Sequence, residues 1–178
     1  YSKHGSQLPH PFKAFNLGPV WRAERAQKGR YREFTQCDVD IIGSDSWGAE
    51  VEVITAILAV FAAFGLDGVK VHLNDRRLAD QALAAAGVAE DKRGHACVVI
   101  DKLDKIGRDA VITELVASVG QASTDALVKT LLTDNGIATE PLDKIINAVK
   151  ALVPSSSIAV DPSLMRGMGY YTGPVFEF

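Results

Sequence analysis

The stretch GPVWRAERAQKGRYREFTQCDVDIIG, residues 18–43, sets two runs of aromatic and β-branched residues on either side of a short basic turn. Phe15, Leu17, Val20 and Trp21 come before Lys28-Gly29, and Tyr31, Phe34, Val39, Ile41 and Ile42 come after it. Residues of this kind suit a pleated, half-buried surface, so residues 12–43 are predicted to form one long hairpin. On a strand, side chains two apart share a face. Arg22 and Glu24 then share one face. Arg30, Arg32, Phe34 and Gln36 share another, which Asp38 and Asp40 continue.

The charge in this stretch is concentrated. Between Arg22 and Arg32 lie five basic residues and one acid, a local sum of +4 in a chain of net charge −3, so the other 167 residues sum to −7. Phosphate binding needs local positive charge, so the island suits a polyanion. Phe34 beside guanidinium groups could stack a planar base while the cations hold phosphates. Two blander readings stay open: a solvated charged hairpin, and Phe34 as a core residue.

Beyond the hairpin, Ser44 or Asp45 can cap a helix carrying Val51, Ile54, Leu58 and Phe61, with Gly65 as its stop. Residues 69–74, VKVHLN, alternate as a half-buried strand does. Asn74 or Asp75 can cap an Ala/Leu-rich helix over 76–86, ended by Gly87. From residue 88 the strand signals vanish. Helical stretches are expected around 98–106, 110–119, 123–135 (punctuated by Asn135-Gly136) and 142–152. A short strand at 158–160 and a turn at Asp161-Pro162 then lead into the second chemically rich segment, MRGMGYYTGPVFEF, residues 165–178. There Arg166 and the tandem Tyr170-Tyr171 emerge from a glycine-rich, tightly turning backbone. Arg166 could equally cap a helix or pair with a carboxylate, and the two tyrosines could be one buried and one surface residue. The layout implied is an α+β core interrupted by a helical insert: 1–87, 88–154 and 155–178.

Composition bounds the function. The 178 residues, 47% hydrophobic and 23% charged, can bury a core without disulfides or metal. Cys37 and Cys97 stand outside any Cys-x-x-Cys or Cys/His spacing, so a structural zinc site and a disulfide framework are not expected, and a reducing compartment is. The longest apolar run, Ile57–Gly65, is about half of what a membrane span needs. No signal peptide is visible. The first residue is Tyr1 rather than Met, which reads as a piece of a longer chain.

Both rich segments resemble signatures of the histidyl-tRNA synthetase family, a class II aminoacyl-tRNA synthetase family. Residues 18–43 are similar to class II motif 2, with its Arg-x-Glu, variable loop and Phe. Residues 166–173 are similar to the histidine-specific motif Arg-Gly-Leu-Asp-Tyr-Tyr-Thr-Gly. VHLNDRR (71–77) and VIDKLDK (99–105) resemble the same family, so the likeness covers essentially the whole chain. It implies a class II-like antiparallel sheet flanked by helices, with a small helical insertion.

It also implies ATP-dependent activation of L-histidine to the adenylate and transfer to the 3′ end of tRNA(His). Arg22 matches the arginine on the ATP α-phosphate and histidine carboxylate. Glu24 matches the residue near the adenine amino group, Arg30 a loop arginine near the distal phosphates, and Phe34 the adenine-stacking ring. Gln36 and Asp40 match the histidine pocket, and Tyr170 and Tyr171 the pair lining its imidazole end. Arg166 matches a catalytic arginine standing where other class II enzymes place a metal ion. Mg2+ then arrives with ATP, with no metal held by the protein itself. A homodimer in the cytoplasm is implied for the full-length protein, as is an inactive isolated piece.

The departures are Gly169, where the motif has Asp, Pro174 in an expected strand, and Ala26 for a common loop Pro. Motif 1, motif 3 and the anticodon-binding domain are absent from these residues. The alternative is a catalytically silent paralogue such as the ATP phosphoribosyltransferase regulatory subunit. A detached RNA-binding module fits poorly, because the acidic remainder offers no basic track.

Overall fold

The computed structural model describes residues 1–132, 140–166 and 170–178. Gly169 and Asn135-Gly136 lie outside the described residues. The chain forms two compact units, residues 1–53 and 54–178.

In the first unit the hairpin forms as expected. Strand β1 (Phe12–Trp21) pairs antiparallel with β2 (Glu33–Ile42), in a register running from Phe12 opposite Ile42 to Trp21 opposite Glu33. Arg22 extends the ladder by one step, its N–H donating to the Arg32 carbonyl at 2.8 Å. Antiparallel pairs alternate between bonded and non-bonded, so Arg22 opposite Arg32 puts Pro19 opposite Thr35 at a non-bonded position. The missing proline N–H there costs no ladder bond. One face of the ribbon carries the half-buried Phe12, Ala14, Val20, Phe34, Gln36 and Asp38. The other exposes Phe15, Leu17, Trp21 and Val39. Gly43 closes the ribbon at φ +88, with the His10 ring packed where a Cβ would stand.

Helix α1 (Gly48–Ala63) begins later than the expected Ser44 or Asp45 cap. Ser46 serves instead, its Oγ accepting from the Gly48 N–H at 3.2 Å. Its other end follows the glycine rule: Gly65 takes φ +67, its N–H donates to Ala62, and that of Leu66 donates to Phe61.

The second unit is built around β3 (Lys70–Asp75), the middle strand of a three-stranded sheet ordered β4-β3-β5. β4 (Ser157–Val160) runs parallel to β3, and β5 (Pro174–Glu177) runs antiparallel to it. Among the described residues, the expected α+β fold thus carries an antiparallel ribbon and a mixed sheet. Pro174 opens an edge strand, a position that needs no donor.

Asp75 caps α2 (Arg76–Ala85), accepting from the Arg77 N–H at 2.8 Å. α3 (Glu90–Ile100), the single turn α4 (Leu103–Ile106), α5 (Arg108–Val119), α6 (Gln121–Thr130) and α7 (Glu140–Leu152) follow. The helix expected over 98–106 is divided. α3 starts at Glu90, on a polar run without apolar periodicity, and stops at Ile100 before the turn at Asp101-Lys102. Helices α2, α3, α5 and α6 share one buried cluster that includes Leu83, Ile100, Leu115, Leu127 and Met165. α7 packs on β3 and β4 and buries Leu142, Ile145 and Val149 at helical spacing. No helix among the described residues is long and apolar enough to cross a membrane.

Candidate functional site

In the first unit, the hairpin's register brings Arg22 and Phe34 to one face. Val20 stands opposite Phe34, and Arg22 follows on the same side of the ribbon. The Arg22 Cζ lies 4.8 Å from the Phe34 ring centroid, within the range of a cation–π contact. Its Nη2 reaches toward the Gln36 Oε1 at 3.5 Å, and Gln36 donates through Nε2 to the Asp38 Oδ1 at 2.5 Å. A guanidinium, a ring, an amide and a carboxylate therefore follow one another along one face. Asp40 continues the alternation but is exposed, opposite Ala14.

The turn is drawn tight by reciprocal hydrogen bonds between Gln27 and Arg30, at 3.1 and 2.9 Å, with Gly29 at φ +78. Only glycine takes that conformation without strain. β1 ends at Trp21, so Glu24 belongs to the loop and not to a strand face shared with Arg22. It is held there by Arg30, whose Nη1 lies 3.6 Å from its carboxylate, and by Arg32, whose Nε donates to its carbonyl at 3.3 Å. The result is a cleft of about 260 Å³ lined by Arg22, Glu24, Arg25, Arg30, Tyr31 and Phe34, among others. With three arginines and one glutamate, it suits an anionic ligand bearing a flat ring. Phe34 is half-buried and lines the cleft, so the reading of it as a core residue does not hold.

In the second unit the segment leading to Arg166 is clamped from β3. The buried Asn74 donates through Nδ2 to the carbonyls of Pro162 and Leu164, at 3.2 and 3.0 Å. Asp161 adds a turn, accepting from the Ser163 N–H and hydroxyl, and its other oxygen contacts the His72 Nδ1 at 2.9 Å. The sequence offered Asn74 or Asp75 as a helix cap. Asp75 caps and Asn74 clamps.

Arg166 is exposed and pairs with carboxylates: its Nε lies 3.1 Å from Glu177 Oε2 and 3.8 Å from Asp101 Oδ1. It borders two clefts, one of about 460 Å³ with Lys70, His72 and Asp101, and one of about 260 Å³ with Tyr170 and Tyr171. The two tyrosine rings lie 4.5 Å apart, centroid to centroid, and both are exposed rather than one being buried. The Tyr171 phenol is pushed above its usual value, first by its hydrogen bond with Tyr170 and then by partial desolvation. Asp101 and Glu177 were not legible as partners of Arg166, because nothing in a sequence pairs a residue after a helix with one on an edge strand.

The comparisons with known proteins cover the whole chain. The family described as Histidyl-tRNA synthetase matches residues 1–178. A histidine–tRNA ligase of Leifsonia xyli subsp. xyli is 39% identical over 201 aligned positions, covering 99% of this chain and 46% of that protein. The chain thus spans under half the length of such curated relatives. Among solved structures, histidyl-tRNA synthetase from Nostoc sp. PCC 7120 superposes with a TM-score of 0.86 at 24% identity, covering 99% of this chain and 46% of that one. A Bacillus halodurans protein titled ATP phosphoribosyltransferase regulatory subunit/histidyl-tRNA synthetase superposes at 0.79 and 21% identity, covering 99% and 50%. At those identities the structures speak for the fold, and the family match speaks for descent: the chain belongs to the histidyl-tRNA synthetase family.

Proposed function

We propose that these residues carry the nucleotide- and histidine-handling part of a histidine–tRNA ligase, which activates L-histidine with ATP and transfers it to the 3′ end of tRNA(His). The observation that carries this reading is the Arg22–Phe34 pair in a cleft lined by further arginines. In the proposed reaction the histidine carboxylate attacks the α-phosphorus, pyrophosphate leaves, and negative charge builds on the phosphoryl oxygens. Arg22 and Arg166 are assigned to that charge, and such electrostatic stabilisation dominates phosphoryl-transfer catalysis. A carboxylate is already ionised at neutral pH, so the attack needs no general base. Phe34 and Glu24 are assigned to adenine, Arg30 to the distal phosphates, and Gln36, Asp40, Tyr170 and Tyr171 to the histidine. An acceptor and a phenol suit a ring with one donor and one acceptor, and would leave unpaired polar groups against an apolar ring.

Mg2+ enters as part of the ATP substrate. The helices of residues 88–154 are assigned to the tRNA acceptor stem, between core segments 1–87 and 155–178, and the full-length protein to a cytoplasmic homodimer. The alternative, a silent regulatory paralogue, draws on the Bacillus halodurans fold match.

Histidine-dependent ATP–pyrophosphate exchange by the full-length protein separates the two. Exchange is expected, and none above background would favour the regulatory reading. The 178 residues alone are expected to show little or no exchange, and full turnover by them would overturn that expectation.

A further inference from the structure

We infer that Glu177, assisted by Asp101, is a positioning residue for Arg166, holding the guanidinium by its Nε edge and leaving the terminal nitrogens to a ligand anion. The inference rests on the role assigned to Arg166 above and adds the residues through which that role is set.

The backbone before Arg166 is fixed. Leu164 and Met165 are buried, and the Leu164 carbonyl accepts from Asn74. The long side chain beyond is not fixed by packing, because about half of it is exposed. Its nearest approach to each of the two carboxylates is made through Nε, at 3.1 Å to Glu177 and 3.8 Å to Asp101. An arginine held at Nε keeps its outer fork, the edge that meets an anion in bidentate fashion, free for that use.

The two carboxylates sit on well-anchored backbone. Glu177 lies on β5 opposite His72 of the central strand, and the Asp101 N–H donates to the Cys97 carbonyl at the end of α3. Glu177 borders both clefts that Arg166 borders, and Asp101 borders the larger. Stability does not explain the arrangement. Arg166 and Glu177 are 52% and 45% exposed, and ion pairs at that exposure contribute little to folding. Their effect is therefore on where the guanidinium stands. Displacing a catalytic group by about 1 Å can cost on the order of 100-fold in rate.

The test uses the full-length protein and pyrophosphate exchange. Glu177→Gln is expected to lower kcat roughly 10-fold or more, with KM for histidine and ATP within about 3-fold and Tm unchanged. Asp101→Asn, at the longer contact, is expected to lower kcat about 3-fold. In an Arg166→Lys background, where there is no Nε edge to hold, Glu177→Gln is expected to add less than about 2-fold. Should Glu177→Gln lower Tm, Glu177→Asp replaces it, keeping the charge but drawing it away from Nε, with the same kcat loss expected.

If Arg166→Ala lowers kcat sharply while the Glu177 variants leave it unchanged or raise it, the positioning inference is wrong. A rise would mean that the carboxylate competes with the anion. If Arg166→Ala itself leaves kcat unchanged, or no exchange occurs, the functional reading fails first and takes this inference with it.

Discussion

The Arg22 guanidinium carbon lies 4.8 Å from the centre of the Phe34 ring, on residues that the hairpin turn holds twelve positions apart. Neither residue is placed by a loop. Phe34 is in β2, and Arg22 is fixed by a backbone hydrogen bond one step beyond β1. A cation and a flat ring are thus preorganised before any ligand arrives. That lowers the ordering cost of binding.

Phe34→Ala tests the ring. Stacking of a base on an aromatic side chain contributes about 1–3 kcal/mol, so KM for ATP is expected to rise roughly 5- to 150-fold with kcat less affected. Phe34→Tyr keeps the ring and is expected to stay near wild type. Exchange kinetics at varied ATP decide it, and an unchanged KM in the alanine variant would remove Phe34 from the adenine site.

Arg166→Ala is expected to abolish adenylate formation, with a kcat loss on the order of 100-fold or more, while histidine binding measured by calorimetry stays largely intact. Parallel losses in binding and rate would instead make Arg166 a ground-state ligand of the substrate.

Asp75→Ala addresses stability alone. The buried carboxylate accepts from the Arg77 N–H at 2.8 Å and from the Arg77 guanidinium at 2.9 and 2.5 Å. Losing a helix cap of this kind costs about 1–2 kcal/mol, which is roughly 2–8 °C in Tm for a chain of this size. Asp75→Asn keeps an acceptor for the cap and is expected to lose less. A thermal melt of both variants checks the order.

Alkaline pH reports on Cys97. Burial raises its thiol above the ordinary value of 9.0, with Arg76 opposing and Asp80 reinforcing the shift. The folded state therefore keeps a proton that the unfolded chain gives up. This stabilisation is complete below about pH 9 and is lost as pH rises through the folded value. Urea midpoints are expected to fall more steeply above pH 9 in wild type than in Cys97→Ala. Equal slopes would refute the coupling. The exposed Cys37 is expected to react with a thiol reagent first, and Cys97 only on unfolding.

Several elements were legible residue by residue. The hairpin was readable because alternation and a Lys-Gly turn are local signals. The ends of α1 and α2 were readable because Gly65 and Gly87, at φ +67 and φ +75, occupy a conformation that other residues resist. The start of α3 was not, since Glu90–His95 is polar and acquires its helix from packing of Ala96, Cys97, Val99 and Ile100. Nor was the break at Asp101, which puts a carboxylate beside Arg166.

By itself, then, the sequence determined the two chemical segments and the +4 island, since charge and strand period are written in adjacent residues. The family signatures lie in the same local strings. Tertiary structure alone decided which groups those segments face. It placed Arg22 over Phe34, moved Glu24 from a strand into a loop gripped by Arg30 and Arg32, and set Asn74, Asp101 and Glu177 around the Arg166 segment. The reason is physical. Periodicity fixes which face a side chain takes within its own element, but its neighbours across a sheet are chosen by register and by the burial of apolar residues elsewhere in the chain.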